Sequence, residues 1–252
     1  MPTYDRRGAA RRAALRPDKR PYHMSIRRRI ANFFIKGLGL RRLHNGRAQR
    51  LIRSVLDEID LQHFRDTHAC PSFVTRVEMF AHLNETLIRG EAIDYLEFGV
   101  YQGESIRSWV ALNKNTGSRF FGFDSFEGLP EDWRASQAKG HFDVGGRAPR
   151  IDDTRVVLVP GWFDDTVPRF AREFVPKNRL VMHLDADLYG STMLPLLHLG
   201  PVMAKGTLLI FDEFYDREHE FKAFMDWLRI YRRTFRVVAE VGNYSKLCAL
   251  LE

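Results

Sequence analysis

Cysteine is almost missing from this chain: Cys70 and Cys248 are the two it has in 252 residues. Two cysteines cannot build a disulfide framework, and such low usage suits a reducing compartment, so a cytoplasmic location is expected. Long apolar runs are missing as well. No stretch of 18 apolar residues exists, which excludes a membrane-spanning helix. The first residues lack the continuous apolar segment of a secretory signal, because "AALRPDK" interrupts it. Acidic residues are scarce in one region: residues 1–50 hold fifteen Lys and Arg against Asp5 and Asp18. The whole chain sets 39 Lys and Arg against 32 Asp and Glu, a formal net charge of +7. Residues 51–252 are therefore acidic on balance. A nucleic-acid-binding core carries a basic face of its own, so no nucleic-acid partner is expected. With 44% hydrophobic residues, the chain reads as one globular domain with an appendage.

The pattern divides the chain into three segments. Residues 1–22 are basic, poor in large apolar residues and broken by proline, and read as a disordered arm. Residues 23–90 read as an N-terminal helical segment. In "SIRRRIANFFIKGLGLRRL", Ile26, Ile30, Phe33, Phe34 and Leu38 recur at helical spacing among arginines. That is either a basic amphipathic helix lying on an anionic membrane surface, or a helix packed on its own domain or on a second copy. Gly37 and Gly39 interrupt it and weigh toward packing. Two further helices are predicted near Arg47–Ile59 and Thr75–Arg89, the second capped by Ser72 or Thr75 with Glu78 in reach.

Residues 91–252 alternate strands with helices. The strands read "IDYLEF" (93–98), "RFFGFD" (119–124), "RVVLV" (155–159), "RLVMHLD" (179–185), "GTLLIFD" (206–212), "FRVVAEV" (235–241) and "SKLCALLE" (245–252). Helices are predicted over 104–114, 165–174, 191–204 and 217–231, with a long loop and a short helix over 125–150. Short apolar strands alternating with helices imply an α/β, doubly wound, mostly parallel sheet covered on both faces. The last two strands lack an intervening helix and close the sheet as a hairpin, one of them antiparallel.

In such a sheet, ligands bind outside the carboxyl ends of the strands. After the first strand comes "EFGVYQGES", whose Gly99 and Gly103 let a ligand approach the backbone at a helix start. The dinucleotide fingerprint G-x-G-x-x-G is absent, and Glu97 at the strand end would repel a pyrophosphate but welcome a cation. Asp124 after the second strand suits ribose hydroxyls, or it caps the turn "DSFEG". Glycines, a strand-end acid and a ribose acid together favour S-adenosylmethionine over NAD. Trp162 and Phe163 either flank an adenine ring or belong to the core. Asp164 or Asp165 is the expected N-cap of the next helix. By strand alternation, His183, Asp185 and Asp187 in "HLDADLYGST" share a direction. Asp212 and Glu213 in "FDEF" end the neighbouring strand about 5 Å away. Carboxylates that close need a counter-charge. An oxygen-rich set suits Mg²⁺; the alternatives are helix caps or acids neutralised by arginines.

These motifs, "EFGVYQGES", "GFDSFEGLPEDW", "GWFDDTVP", "HLDADLYGST" and "GTLLIFDEF", come in the order and spacing of the macrocin/mycinamicin-type O-methyltransferases, which this chain resembles over about residues 70–250. The resemblance implies a class I methyltransferase sheet of seven strands in the order 3-2-1-4-5-7-6. It implies S-adenosylmethionine as cofactor, held by Glu97, Gly99, Tyr101, Gly103, Ser105, Asp124, Ser125, Gly161, Trp162, Phe163 and Asp185. It also implies Mg²⁺ on Asp185, Asp212 and Glu213. The metal-dependent members of the family have Asp-Asp where this chain has Asp212-Glu213, a departure that alters reach. A small-molecule or glycan hydroxyl is the implied acceptor, and N-terminal helices that cover the site imply a homodimer. Asp185 or Asp187 would take the hydroxyl proton, with His141 and His183 as alternative bases. Competing readings are an NAD-linked oxidoreductase and a non-catalytic scaffold anchored by its basic arm.

Overall fold

The computed structural model describes residue 58 and residues 60–252. The expected basic arm, the amphipathic helix beginning at Ile26 and the helix near Arg47–Ile59, apart from Glu58, lie outside the described residues. Among those described, no helix is long and apolar enough to cross a membrane.

Period-2 alternation builds the sheet. Its strands are β1 (Ser72–Phe73), β2 (Ile93–Phe98), β3 (Arg119–Asp124), β4 (Val156–Pro160), β5 (Arg179–Leu184), β6 (Leu208–Phe211), β7 (Phe235–Val241) and β8 (Lys246–Leu251). All six positions of β2 are buried, because both faces are covered. Ile93 and Tyr95 join Phe120, Val181, Leu208 and Ile210 in one apolar layer. Leu96 and Phe98 join Phe123, Met182, Leu184, Leu209 and Phe211 in the other. The first layer is completed by α1 (Arg76–Leu83), prolonged by one π turn over Asn84–Ile88, and by α2 (Glu104–Leu112). They contribute Met79, Phe80, Ile106 and Trp109. The second layer is completed by α3 (Phe163–Glu173), α4 (Tyr189–Leu199), α5 (Glu220–Tyr231) and a helix over 60–67. Helix α1 starts as its sequence dictates. Thr75 accepts the Glu78 N–H, and the Glu78 carboxylate returns the bond to the Thr75 N–H, a complete capping box.

The strands run in the order β1-β7-β8-β6-β5-β2-β3-β4. Strand β8 pairs antiparallel with β6 and β7, and every other pair is parallel. Without β1, this is the expected seven-strand order. Strand β1 is an addition too short to leave a sequence signal. The order reverses between β2 and β5, and that switch point opens the crevice where ligands bind. No helix forms over 125–150. Turns with isolated bridges Glu127–Asp143 and Arg134–Gln137 occupy that stretch, because Gly128, Pro130, Gly140, Gly145 and Gly146 break helical continuity. Helix α3 begins at Phe163 with Trp162 as its N-cap residue, so Asp164 and Asp165 lie in its first turn rather than at the cap. There their charges still favour the helix dipole.

The amino end of the sheet is tied by one buried carboxylate. Asp94, wholly buried, accepts from Arg119 at 2.8 and 2.6 Å, from the Lys177 N–H at 2.6 Å, and from the Asn178 backbone and side chain at 3.1 and 2.9 Å. Burial alone would raise its pKa; the hydrogen bonds from Arg119, then from Lys177 and Asn178, outweigh it and lower it. A lowered carboxylate contributes stability above its unfolded pKa of ~4, and loses it as the pH falls through the folded value. Asp94→Asn is expected to cost about 3 kcal/mol at neutral pH, since it leaves Arg119 unpaired. In urea unfolding, the gap to wild type should narrow below pH ~4; a gap that does not change with pH contradicts this account.

Candidate active site

The crevice is set by a close backbone crossing. Gly99, just past β2, donates its N–H to the Phe123 carbonyl at 3.0 Å, and the Asp185 N–H returns to the Phe98 carbonyl at 2.9 Å. Gly99 has φ +96°, and a Cβ there would lie 1.7 Å from the Asp185 carbonyl oxygen. No side chain fits. The Asp124 carboxylate locks the next turn: Oδ2 accepts from the Val100 and Tyr101 N–H groups at 2.8 and 2.7 Å, and Oδ1 from Phe126 at 2.7 Å. Asp124 therefore caps its own turn and braces the glycine turn at once. Gly161 donates to the Asp124 carbonyl at 2.9 Å, fixing the entry to α3.

These turns enclose a cavity of about 960 Å³. Asp124, Ser125, Trp162 and Phe163 line one end, and Asp185, Asp187, Asp212 and Glu213 the other. Phe163 also packs edge-on against Phe98 at 5.9 Å, so it belongs to wall and core together. The 125–150 loop lines the mouth. There Trp133 Nε1 and Arg134 donate to Asp216 at 3.0 and 2.9 Å, and Arg134 also reaches the Tyr215 hydroxyl at 2.9 Å.

The other expected residues fall into place unevenly. Ser105 is buried and lines the cavity, and Gly103 is the N-cap residue of α2 with φ +79°. Tyr101 lines it too, exposed at φ +49° with its ring edge-on to Phe142. Glu97 is 1% exposed and does not line the cavity. It sits below, accepting from the Tyr95 hydroxyl at 2.5 Å. His141 is exposed against Phe142 and also stays outside the lining. Strand β5 ends at Leu184, so the expected alternation does not extend to Asp187; Asp187 turns inward by adopting φ +59°.

The carboxylates differ sharply in their partners. Asp212 Oδ2 accepts from Lys246 Nζ at 2.5 Å, and its Oδ1 lies 3.4 Å from His183 Nε2. Arg76 Nη1 stands 3.6 Å from Asp212 and 3.7 Å from Asp185. Burial would lower His183, but the hydrogen bond to Asp212 and the Glu97 carboxylate 3.8 Å away hold it at about 9, as an imidazolium. Asp187 is pushed up to about 7 by burial first and then by the Glu213 and Asp212 charges. Glu220, fully buried on α5, accepts the Glu213 N–H at 2.8 Å and is raised well above the usual range by burial.

The donor set does not fit the expected Mg²⁺ site. Among the described residues, the three whose donor atoms gather within 4.8 Å are His183, Asp185 and Asp212, and Glu213 is not among them. Glu213 instead lies beside Tyr215. Both oxygens of Asp212 already face cationic donors. A divalent ion about 4 Å from a guanidinium is repelled by roughly 4 kcal/mol per unit of its charge at an effective dielectric of 20. Arg76 and Arg134 line the cavity, and Lys246 and Glu220 bond to Asp212 and to the Glu213 N–H from outside the lining; the sequence pattern reveals none of the four. Trp133 stands inside a motif without an evident role, and Arg76 directly follows the cap residue Thr75, but nothing local marks either as part of a site.

The chain matches the family described as Macrocin-O-methyltransferase (TylF) over residues 73–249. It is 31% identical over 161 residues to the 8-demethyl-8-(2,3-dimethoxy-alpha-L-rhamnosyl)-tetracenomycin-C 4'-O-methyltransferase of Streptomyces olivaceus, covering 55% of this chain and 60% of that one. It is 40% identical over 63 residues to the mycinamicin III 3''-O-methyltransferase of Micromonospora griseorubida, covering 25% and 23%. The chain thus spans three fifths or less of the length of these curated relatives. In fold it is similar to the calicheamicin methyltransferase CalS11 (TM-score 0.54, 22% identity, 91% of this chain and 94% of that one). It is also similar to the O-methyltransferase NovP (TM-score 0.55, 21% identity, 69% and 78%). With the match running from β1 into β8, the chain belongs to the TylF macrocin O-methyltransferase family.

Proposed function

We propose that this protein is an S-adenosylmethionine-dependent O-methyltransferase acting on a hydroxyl of a sugar, glycan or related polyol. One observation carries the reading: a single cavity sets a side-chain-free glycine turn and two aromatic walls opposite a group of carboxylates. The first half suits a nucleoside with a cationic tail, and the second suits a hydroxyl that must lose its proton. The names of the relatives, among them one for 4'-O-methylation of a rhamnosyl compound, support a sugar acceptor.

The cofactor supplies an electrophilic methyl group on a sulfonium. Gly99 keeps the backbone open beside Asp185, Asp124 braces the turn against which the ribose would rest, and Trp162 and Phe163 offer apolar faces to the adenine. As the carbon–sulfur bond breaks and the oxygen–methyl bond forms, the hydroxyl proton passes to a carboxylate. Asp187 is the favoured base, because a carboxyl poised near 7 is ionised often enough to act and basic enough to be useful. Holding donor and acceptor in line supplies much of the remaining rate. No step is routed through a divalent ion, given the cations that already face Asp212.

Labelled S-adenosylmethionine offered with a panel of sugars and sugar conjugates tests the reading. Label is expected in an alkali-stable methyl ether on at least one acceptor. Asp185→Ala should abolish transfer while S-adenosylhomocysteine still binds; transfer at the wild-type rate removes Asp185 from the site.

The pH dependence of transfer tests the base. With Asp187 in that role, kcat/KM rises with pH and levels off above about 7, because the ionised form is the active one. Glu213→Gln removes the neighbouring charge that helps to raise Asp187, so the break should move to lower pH. A profile flat from pH 5 to 8, measured with an acceptor identified in the panel, contradicts the assignment.

A further inference from the structure

The cations around Asp212 have a consequence for the chemistry, and it rests on the methyl-transfer reading. Asp212 is 4% exposed, and its two oxygens face three donors: Lys246 Nζ at 2.5 Å and Arg76 Nη1 at 3.6 Å on Oδ2, and His183 Nε2 at 3.4 Å on Oδ1. Lys246 Nζ also reaches the Asp212 carbonyl at 3.2 Å. Arg76 bridges to Asp185 at 3.7 Å and donates through Nη2 to Glu104 at 3.0 Å. Arg76 lines the cavity, whereas Lys246 does not.

We propose that Arg76, together with Lys246, supplies at Asp185 and Asp212 the positive charge otherwise expected of a divalent ion, and that this protein transfers methyl groups without one. Mg²⁺ requires oxygen ligands in near-octahedral array at about 2.1 Å. To obtain that here it would have to displace Lys246 from Asp212 and settle beside a guanidinium. Glu213 lies beside Tyr215 and outside the group of donor atoms that gathers at Asp185 and Asp212. A guanidinium suits the substituted role. It is always charged, and it presents several N–H donors in a fixed plane. Two carboxylates and Glu104 hold it at the cavity wall, where it donates to the acceptor oxygen as negative charge develops. The proton still leaves on a carboxylate, because a guanidinium cannot accept one.

The test is a titration of the full-length chain with Mn²⁺, followed by electron paramagnetic resonance, with S-adenosylhomocysteine binding measured by calorimetry on the same samples. Wild type is expected to bind S-adenosylhomocysteine and to show no saturable Mn²⁺ binding up to millimolar concentration. An Arg76→Gln/Lys246→Met double variant, which frees both carboxylates, is expected to gain saturable binding. Stoichiometric Mn²⁺ binding by wild type that Asp212→Asn abolishes would overturn the proposal. Should the double variant fail to fold, the wild-type titration decides alone. In the transfer assay, wild type should run equally fast in EDTA and in added Mg²⁺. Arg76→Met should lose at least tenfold and Arg76→Lys should recover part of it; a Mg²⁺ requirement in wild type contradicts the proposal. A chain that binds no S-adenosylhomocysteine fails the underlying methyl-transfer reading, whatever its Mn²⁺ result.

Discussion

The site depends on the place where the chain leaving β2 passes over the chain leaving β5. Gly99 and the Asp185 carbonyl approach so closely that a methyl group on Gly99 would lie 1.7 Å from that oxygen. Backbone bonds from Gly99 to Phe123 and from Asp185 to Phe98 fix the crossing on both sides. With the crossing in place, Asp124 is brought under the Val100 and Tyr101 amides, and Asp185 emerges beside Asp212. The cavity results from that arrangement. Any residue larger than glycine at 99 forces these strand ends apart and disperses the functional groups together.

Gathering acids at a sheet edge is costly, and this protein divides them into two sets. Glu97 and Asp212 are silenced from within. The Tyr95 hydroxyl donates to Glu97 at 2.5 Å and lies 2.9 Å from His183 Nδ1, and His183 faces Asp212 through its other nitrogen. Lys246 completes the neutralisation of Asp212. A buried imidazolium between two carboxylates is thus a counter-charge beneath the cavity. Asp187 and Glu213 belong to the second set. They lack such partners at close range, they face the cavity, and their mutual repulsion adds to burial in raising Asp187.

Much of this is legible in the residues. Six-residue apolar strands with both faces covered, the Thr75–Glu78 capping box and the pairing of Asp185 with Asp212 all rest on local periodicity or on adjacent strands, and they stand where the pattern puts them. Asp124 illustrates a partial success. Turn capping is one of the two roles its position suggests, and it serves two turns through both oxygens. Arg76 and Lys246 are not legible. Each comes from a segment distant in sequence, one from a helix before the sheet and one from its last strand, and a charged residue at an element's start reads as solvated. The placing of Glu213 depends on Glu220 holding its N–H, a contact that no spacing rule encodes. The inward turn of Asp187 needs a left-handed backbone, which breaks the alternation that would have placed it.

The proposed methyl transfer requires the cavity at the Gly99–Asp185 crossing to take a cationic nucleoside donor and not a dinucleotide. Calorimetric titration of the full-length chain with S-adenosylhomocysteine and, separately, with NAD tests it most directly. One saturable site for S-adenosylhomocysteine and none for NAD is expected. Saturable NAD binding with no response to S-adenosylhomocysteine would contradict it.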